Sequence, residues 1–162
     1  MKRNLLLFLS IVLIIATSCN KEKEYVYEVN DVVINPPGSL KDHVKSTIEF
    51  ISIAYSDLFG TTISNDELVD LAVSYAAVGD KKLVEDMIIR NFLNKTGAQI
   101  PTKVEMENDV DGFINDAFRK FYNRDATDYE KWYLGNLINQ DNTITPELVY
   151  YGMMTSNEYR YY

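Results

Sequence analysis

Apolar residues recur every three or four positions along most of the chain, and short polar or glycine-containing breaks divide them into about six stretches. A helix buries a stripe at this period, whereas a half-buried strand alternates at two, so the pattern predicts helices throughout. Ser39 and Asp42 open a first helix carrying Leu40, Val44, Ile48, Ile51, Ala54, Tyr55, Leu58 and Phe59, and Gly60 closes it. Ser64-Asn65-Asp66-Glu67 has the form of a capping box, in which the serine hydroxyl accepts from the third amide and the glutamate reaches back. The helix it opens turns Leu68, Leu71, Ala72, Tyr75 and Ala76 inward and ends at Gly79. Asp80 caps a third helix with Leu83, Val84, Met87, Ile88 and Phe92 on its core face. Thr96-Gly97-Ala98 and Pro101 then break the chain.

After Pro101 the plan returns. Thr102 and Glu105 open a helix that runs through Val110, Phe113, Ile114, Ala117, Phe118 and Phe121, with a break near Gly112. Thr127 and Glu130 form another capping box, ahead of Trp132, Leu134, Leu137 and Ile138. Thr145-Pro146 supplies an N-cap and a proline at the first helical position, and Leu148, Val149, Met153 and Tyr159 belong to the last helix. An offset of 63 residues places Phe50, Ile51 and Ala54 on Phe113, Ile114 and Ala117, and lays Ser64 and Glu67 on Thr127 and Glu130. With two more residues it sets Leu83-Val84 on Leu148-Val149. Matching helices in one order predict an all-α fold of two tandem, related three-helix units, residues 39–95 and 102–162.

The first eighteen residues follow a different rule. Met1-Lys2-Arg3-Asn4 is a short positive head, and Leu5 to Ala16 is almost unbroken apolar chain. At about 1.5 Å per residue these twelve positions reach about 18 Å, short of the roughly 30 Å hydrocarbon layer. The segment 1–18 therefore reads as a secretory signal peptide. Ala16-Thr17-Ser18-Cys19 resembles the bacterial lipoprotein cleavage box, with Ala16 where leucine is commoner. In such proteins the cysteine becomes the new N-terminus and carries fatty acyl chains such as palmitate. Cys19 is the only cysteine of the 162-residue chain, so its acylation leaves no disulfide and no thiol chemistry. Residues 19–38 form a tether from the acylated cysteine, with Tyr25 to Val29 strand-like in propensity and Pro36-Pro37-Gly38 ending it. Asn20 stands where an aspartate would favour retention at the inner membrane, which points to the outer membrane, and Lys21 to Glu24 faintly resembles the charged tag that directs some lipoproteins to the cell surface.

Cleavage removes Lys2 and Arg3, taking the formal charge from −8 to −10. A surface of that sign repels phosphate backbones and anionic headgroups, which argues against nucleic acid as a partner and leaves the membrane to be met through the lipid.

Phe113, Phe118, Phe121, Tyr122, Asn123, Arg124, Trp132, Ser156, Glu158 and Tyr159 carry a resemblance to a helical family of unknown function in bacterial surface and secreted proteins. Its signature runs F-x-x-x-Y-x-x-L-L-G-R-x-P, then W, then S-x-E-F. Asn123 stands for the glycine, and Ala126 lies near the expected proline. The resemblance covers about fifty residues of the second unit and implies a helical fold in the envelope, with no catalytic residues to transfer.

Several constellations invite chemistry. Glu107-Asn108-Asp109-Val110-Asp111-Gly112-Phe113-Ile114-Asn115 imitates a calcium loop, but position 12 is Phe118, and the same residues are needed by a helical face. No metal site and no cofactor are expected. His43, the single histidine, sits among Lys41, Asp42 and Lys45 and reads as a solvated residue. Glu67 and Glu130 form a carboxylate pair related by the repeat, yet both serve as cap residues. Tyr129, Trp132 and Tyr133 are a candidate contact for a ligand or partner, since aromatic faces stack on sugars and fill interfaces. Trp132 falls in the register of Val69 beside the core face, where packing is the simpler role. The terminal tyrosines and Tyr150-Tyr151 offer a second surface for a partner protein. The reading is a non-catalytic lipoprotein of the outer membrane or cell surface, an interaction or scaffold module with no catalytic residues, whose partner is another envelope protein or a surface glycan. Its alternative is a carbohydrate-active enzyme or glycan-binding accessory that uses carboxylates or exposed aromatics.

Overall fold

A computed structural model of the chain describes residues 43–161. The expected leader, Cys19 and the 19–38 tether lie outside the described residues, as do Ser39, Leu40 and Asp42. Among the described residues there are eight α-helices and no strand. They are α1 (Thr47–Phe59), α2 (Asn65–Ala77), α3 (Lys81–Asn94), α4 (Lys103–Asn108), α5 (Val110–Tyr122), α6 (Asp128–Gln140), α7 (Pro146–Met154) and α8 (Asn157–Arg160). None of them is long and apolar enough to cross a membrane.

Capping chemistry sets the boundaries, and it moves three of those expected from the pattern. The first helix begins at Thr47, not beside Ser39, because Ser46 and Glu49 make a complete capping box. Glu49 Oε2 accepts from the Ser46 amide at 2.8 Å. Val44 is thereby released from the helix and pairs with Tyr161 in an antiparallel bridge, while the Lys45 amide donates to the Arg160 carbonyl at 2.9 Å. His43 consequently sits in the exposed segment before the helix. The break expected near Gly112 in the fourth predicted helix falls three residues earlier, at Asp109. Asp109 ends α4 and caps α5, its Oδ1 accepting from the Gly112 amide at 2.9 Å. The last predicted helix divides at Thr155, where Ser156 caps α8.

One buried face and one cap also differ from expectation. In α3 the buried stripe is Val84, Glu85, Ile88, Ile89 and Phe92, while Leu83 and Met87 are exposed. The face turns toward Glu85 because that carboxylate has partners: the Tyr75 hydroxyl donates to it at 2.8 Å, and Arg160 lies 3.0 Å away. Ser64 caps α2 as expected, but the Glu67 carboxylate does not close the box; it pairs with Lys95 at the end of α3.

The helices α1, α2 and α3 pack on one another, and α5 packs against α4, α6, α7 and α8. The two groups meet where α3 contacts α7, and a single hydrophobic cluster includes side chains from both. Helices α1 and α5 each span 13 residues, as do α2 and α6, and each later helix begins 63 positions after the earlier one. Phe50, Ile51, Ala54, Leu58 and Phe59 correspond at that offset to Phe113, Ile114, Ala117, Phe121 and Tyr122, all buried. Gly60 corresponds to Asn123, and both take the left-handed conformation that ends a helix, with φ of 66° and 54°.

Candidate functional site

Helix α6 packs chiefly on α5, through Gly135, Ile138 and half-buried Leu134. At 100° per residue, Tyr129, Trp132 and Tyr133 fall on the opposite side of the helix. They are 69%, 63% and 53% exposed, and Leu137 extends the same apolar face. The rings gather into one group: the Tyr129 centroid lies 5.9 Å from that of Trp132 and 6.3 Å from that of Tyr133, and the two tyrosine planes are within 18° of parallel. Trp132 is therefore not a core residue. Val69, its counterpart in α2, is itself 58% exposed, so the register that pointed to packing points outward in both helices. Leu137 was legible in the sequence as the position four after Tyr133, but a leucine at that spacing reads as core.

The base of this helix is fixed electrostatically. Glu130 completes the box with Thr127, accepting from the Thr127 amide at 2.8 Å, and also receives the Arg124 guanidinium through two bonds of 2.7 and 2.9 Å. Arg124 reaches Glu158 on α8 with two more, of 2.7 and 2.9 Å. Burial alone would raise the Glu130 carboxyl, but hydrogen bonds from Arg124 and Thr127 hold it down to about 2, and the two carboxylates keep Arg124 fully protonated. Tyr122 donates to the Met153 carbonyl at 3.2 Å and shares a 2.9 Å bond with Ser156. The signature residues Tyr122, Arg124, Ser156 and Glu158 thus join the end of α5 to α8.

Glu130 is committed to this network, and a carboxyl held near 2 is a poor general acid at neutral pH. Glu67 is committed to Lys95. The calcium-like stretch is divided between two helices, with Glu107 in α4, Asp109 at the junction and Asp111 in the first turn of α5. Among the described residues no group of three or more His, Cys, Asp or Glu side chains is placed to hold a metal ion. Among the described residues the expected tyrosine surface is not assembled, and Tyr162 lies outside them. Tyr150 and Tyr159 are buried, the Tyr151 hydroxyl bonds to Asp86 and Arg90, and Tyr161 is 37% exposed beside Val44. Compared with protein-family models, with curated proteins and with solved structures, the chain matches none.

Proposed function

We propose that this chain is a non-catalytic envelope lipoprotein, anchored at the outer membrane through acylated Cys19, whose helical domain is an interaction module for another envelope protein. The observation that carries the reading is the aromatic face of α6. Three large rings stand more than half exposed on one helical turn and a half, where they contribute little to the core. Tyrosine and tryptophan are the side chains that supply most contact area in interfaces for the least lost conformational freedom. The apolar leader and the Ala16 to Cys19 box support the anchoring, and the signature shared by Phe113, Arg124, Trp132 and Glu158 supports an envelope location. We read the domain as a duplicated three-helix unit, supported by the common offset of 63 in helix bounds, caps and buried positions.

The test is photocrosslinking in the native envelope from position 132, with position 73 on α2 as a second exposed site. The expected result is one predominant adduct from position 132, absent from position 73 and lost in the combined Tyr129→Ala/Tyr133→Ala variant at unchanged melting temperature. Equal adducts from both positions would refute the assignment of this face. Metabolic labelling with an alkyne fatty acid checks the anchor: label should disappear in Cys19→Ser.

A further inference from the structure

A concave groove of about 650 Å³ runs between the 98–101 loop, α4, α5 and Tyr150 of α7. Its size lies within the range of small-ligand sites. Ile100, Met106 and Phe113 form apolar walls, and the Phe113 and Tyr150 rings lie within 6° of parallel, their centroids 6.0 Å apart.

Three polar groups border the same space, Tyr150, Lys120 and Asp116. The Tyr150 ring is 4% exposed, yet among the described residues its hydroxyl has no hydrogen-bond partner. No fully buried side-chain polar atom is unsatisfied among them, so this hydroxyl must open onto the groove it lines. Lys120 lies over the Tyr150 ring, its ammonium 5.9 Å from the centroid, and feels the Asp57 carboxylate without an ion pair within 4.0 Å among the described residues. Asp116 precedes it by one helical turn, the spacing at which an acid and a lysine ordinarily pair. Its carboxylate instead has only a 4.0 Å contact with Arg119. The other two acids on the rim are partly occupied, since Asp109 and Glu105 each use an oxygen in an N-cap.

A cation, a neutral hydroxyl and an exposed carboxylate therefore border one groove with apolar walls. A simple anion would meet Asp116, and a simple cation would meet Lys120. Adjacent hydroxyls satisfy both, because each can accept from the ammonium or phenol and donate to the carboxylate, while the C–H groups of a sugar ring lie against the apolar side chains of the wall. We infer that this groove is a binding site for a neutral sugar unit, held by Lys120, Tyr150 and Asp116. It is separate from the α6 face and does not depend on the role assigned to that face.

The test is amide chemical-shift titration of the full chain in detergent micelles with glucose, galactose, mannose and N-acetylglucosamine, and with alanine and choline as zwitterionic and cationic probes. At least one sugar should produce saturable shifts at Gly112, Asp116 and Lys120. Tyr150→Phe, which keeps the ring, should weaken that binding at least threefold, and Lys120→Met or Asp116→Asn at least tenfold, with the remaining amide spectrum unchanged. Three results would overturn the inference: no saturable shift with any sugar, shifts confined to α6, or binding of alanine or choline alone. A sugar affinity that stays unchanged in all three variants would overturn it as well.

Discussion

At the scale of single residues, two polar clusters decide where helices begin and how they meet. Gly112 is required by its neighbour: a Cβ there would stand 2.1 Å from Asp109 Oδ2, so the cap and a side chain cannot share the space. Gly112→Ala should force the Asp109 carboxyl off the Gly112 amide and cost about 1 kcal/mol in urea unfolding despite the better helix propensity of alanine. Asp109→Asn, which keeps a capping oxygen, should cost less than half of that. The Arg124 fork is the second cluster. Arg124→Ala removes four charge-assisted bonds and leaves Glu130 and Glu158, both about one-third exposed, facing one another's charge. The expected loss is about 2–3 kcal/mol. Its pH dependence has a definite sign. The Glu130 carboxyl titrates at about 2 in the folded chain against an ordinary 4.5, so its contribution is complete above the ordinary value and disappears as pH falls toward 2. Melting temperature measured from pH 5 to pH 2 should fall more steeply in the wild type than in Glu130→Gln. Equal slopes would show that the fork contributes nothing to acid stability.

Among the elements, the helices most legible in the sequence are those whose start and stop are both written locally. α2, α3 and α6 begin at the expected Ser64, Asp80 and Thr127, and α7 begins with Thr145-Pro146. α1 was misplaced because Leu40 and Val44 continue its apolar spacing, and nothing local shows that Val44 pairs with Tyr161, far along the chain. The buried stripe of α3 was misjudged for a similar reason, since Glu85 looks like a surface residue until Tyr75 and Arg160 surround it. The outward side of α6 was ambiguous because aromatics at helical spacing suit a core or an interface equally. The groove bordered by Lys120 and Tyr150 left no sequence signal, as it is formed by helices that are distant in sequence. The corresponding ends of α1 and α5 allow a direct comparison. Gly60 and Asn123 both hold positive φ, which a residue with a Cβ adopts at a cost and asparagine tolerates best. Asn123→Gly should be neutral or slightly stabilising, and Asn123→Ala should cost about 1 kcal/mol. Gly60→Ala should cost more than Asn123→Ala, because its Cβ would also meet the Gln99 amide at 3.0 Å.

For the whole molecule the decisive fact is that the two groups of helices, α1–α3 and α4–α8, contribute to one hydrophobic cluster. Tyr159 is where they join. It is fully buried, its ring meets Phe50 of α1 and Phe121 of α5 edge-on, at centroid distances of 6.1 and 5.9 Å, and its hydroxyl donates to Asp57 at 2.7 Å. Burial raises the Asp57 carboxyl, and the Tyr159 hydroxyl with nearby Lys45 and Lys120 offsets part of that shift. The next residue, Arg160, reaches Glu85 on α3. A four-residue helix at the end of the chain thus holds contacts to α1, α3 and α5. Such an arrangement makes the two groups unfold together, because neither can open without exposing the ring that the other covers. Urea unfolding of the wild type should give one transition, coincident by far-ultraviolet circular dichroism and by hydrogen exchange in α1 and α5. Tyr159→Phe should cost about 1–2 kcal/mol through the unpaired Asp57 and keep that single transition. Tyr159→Ala should cost about 3–5 kcal/mol through the cavity, and exchange in α1 and α5 should separate, since their shared ring is gone. Separate transitions in the wild type would mean that each group of helices is stable without the other and that Tyr159 only decorates their boundary.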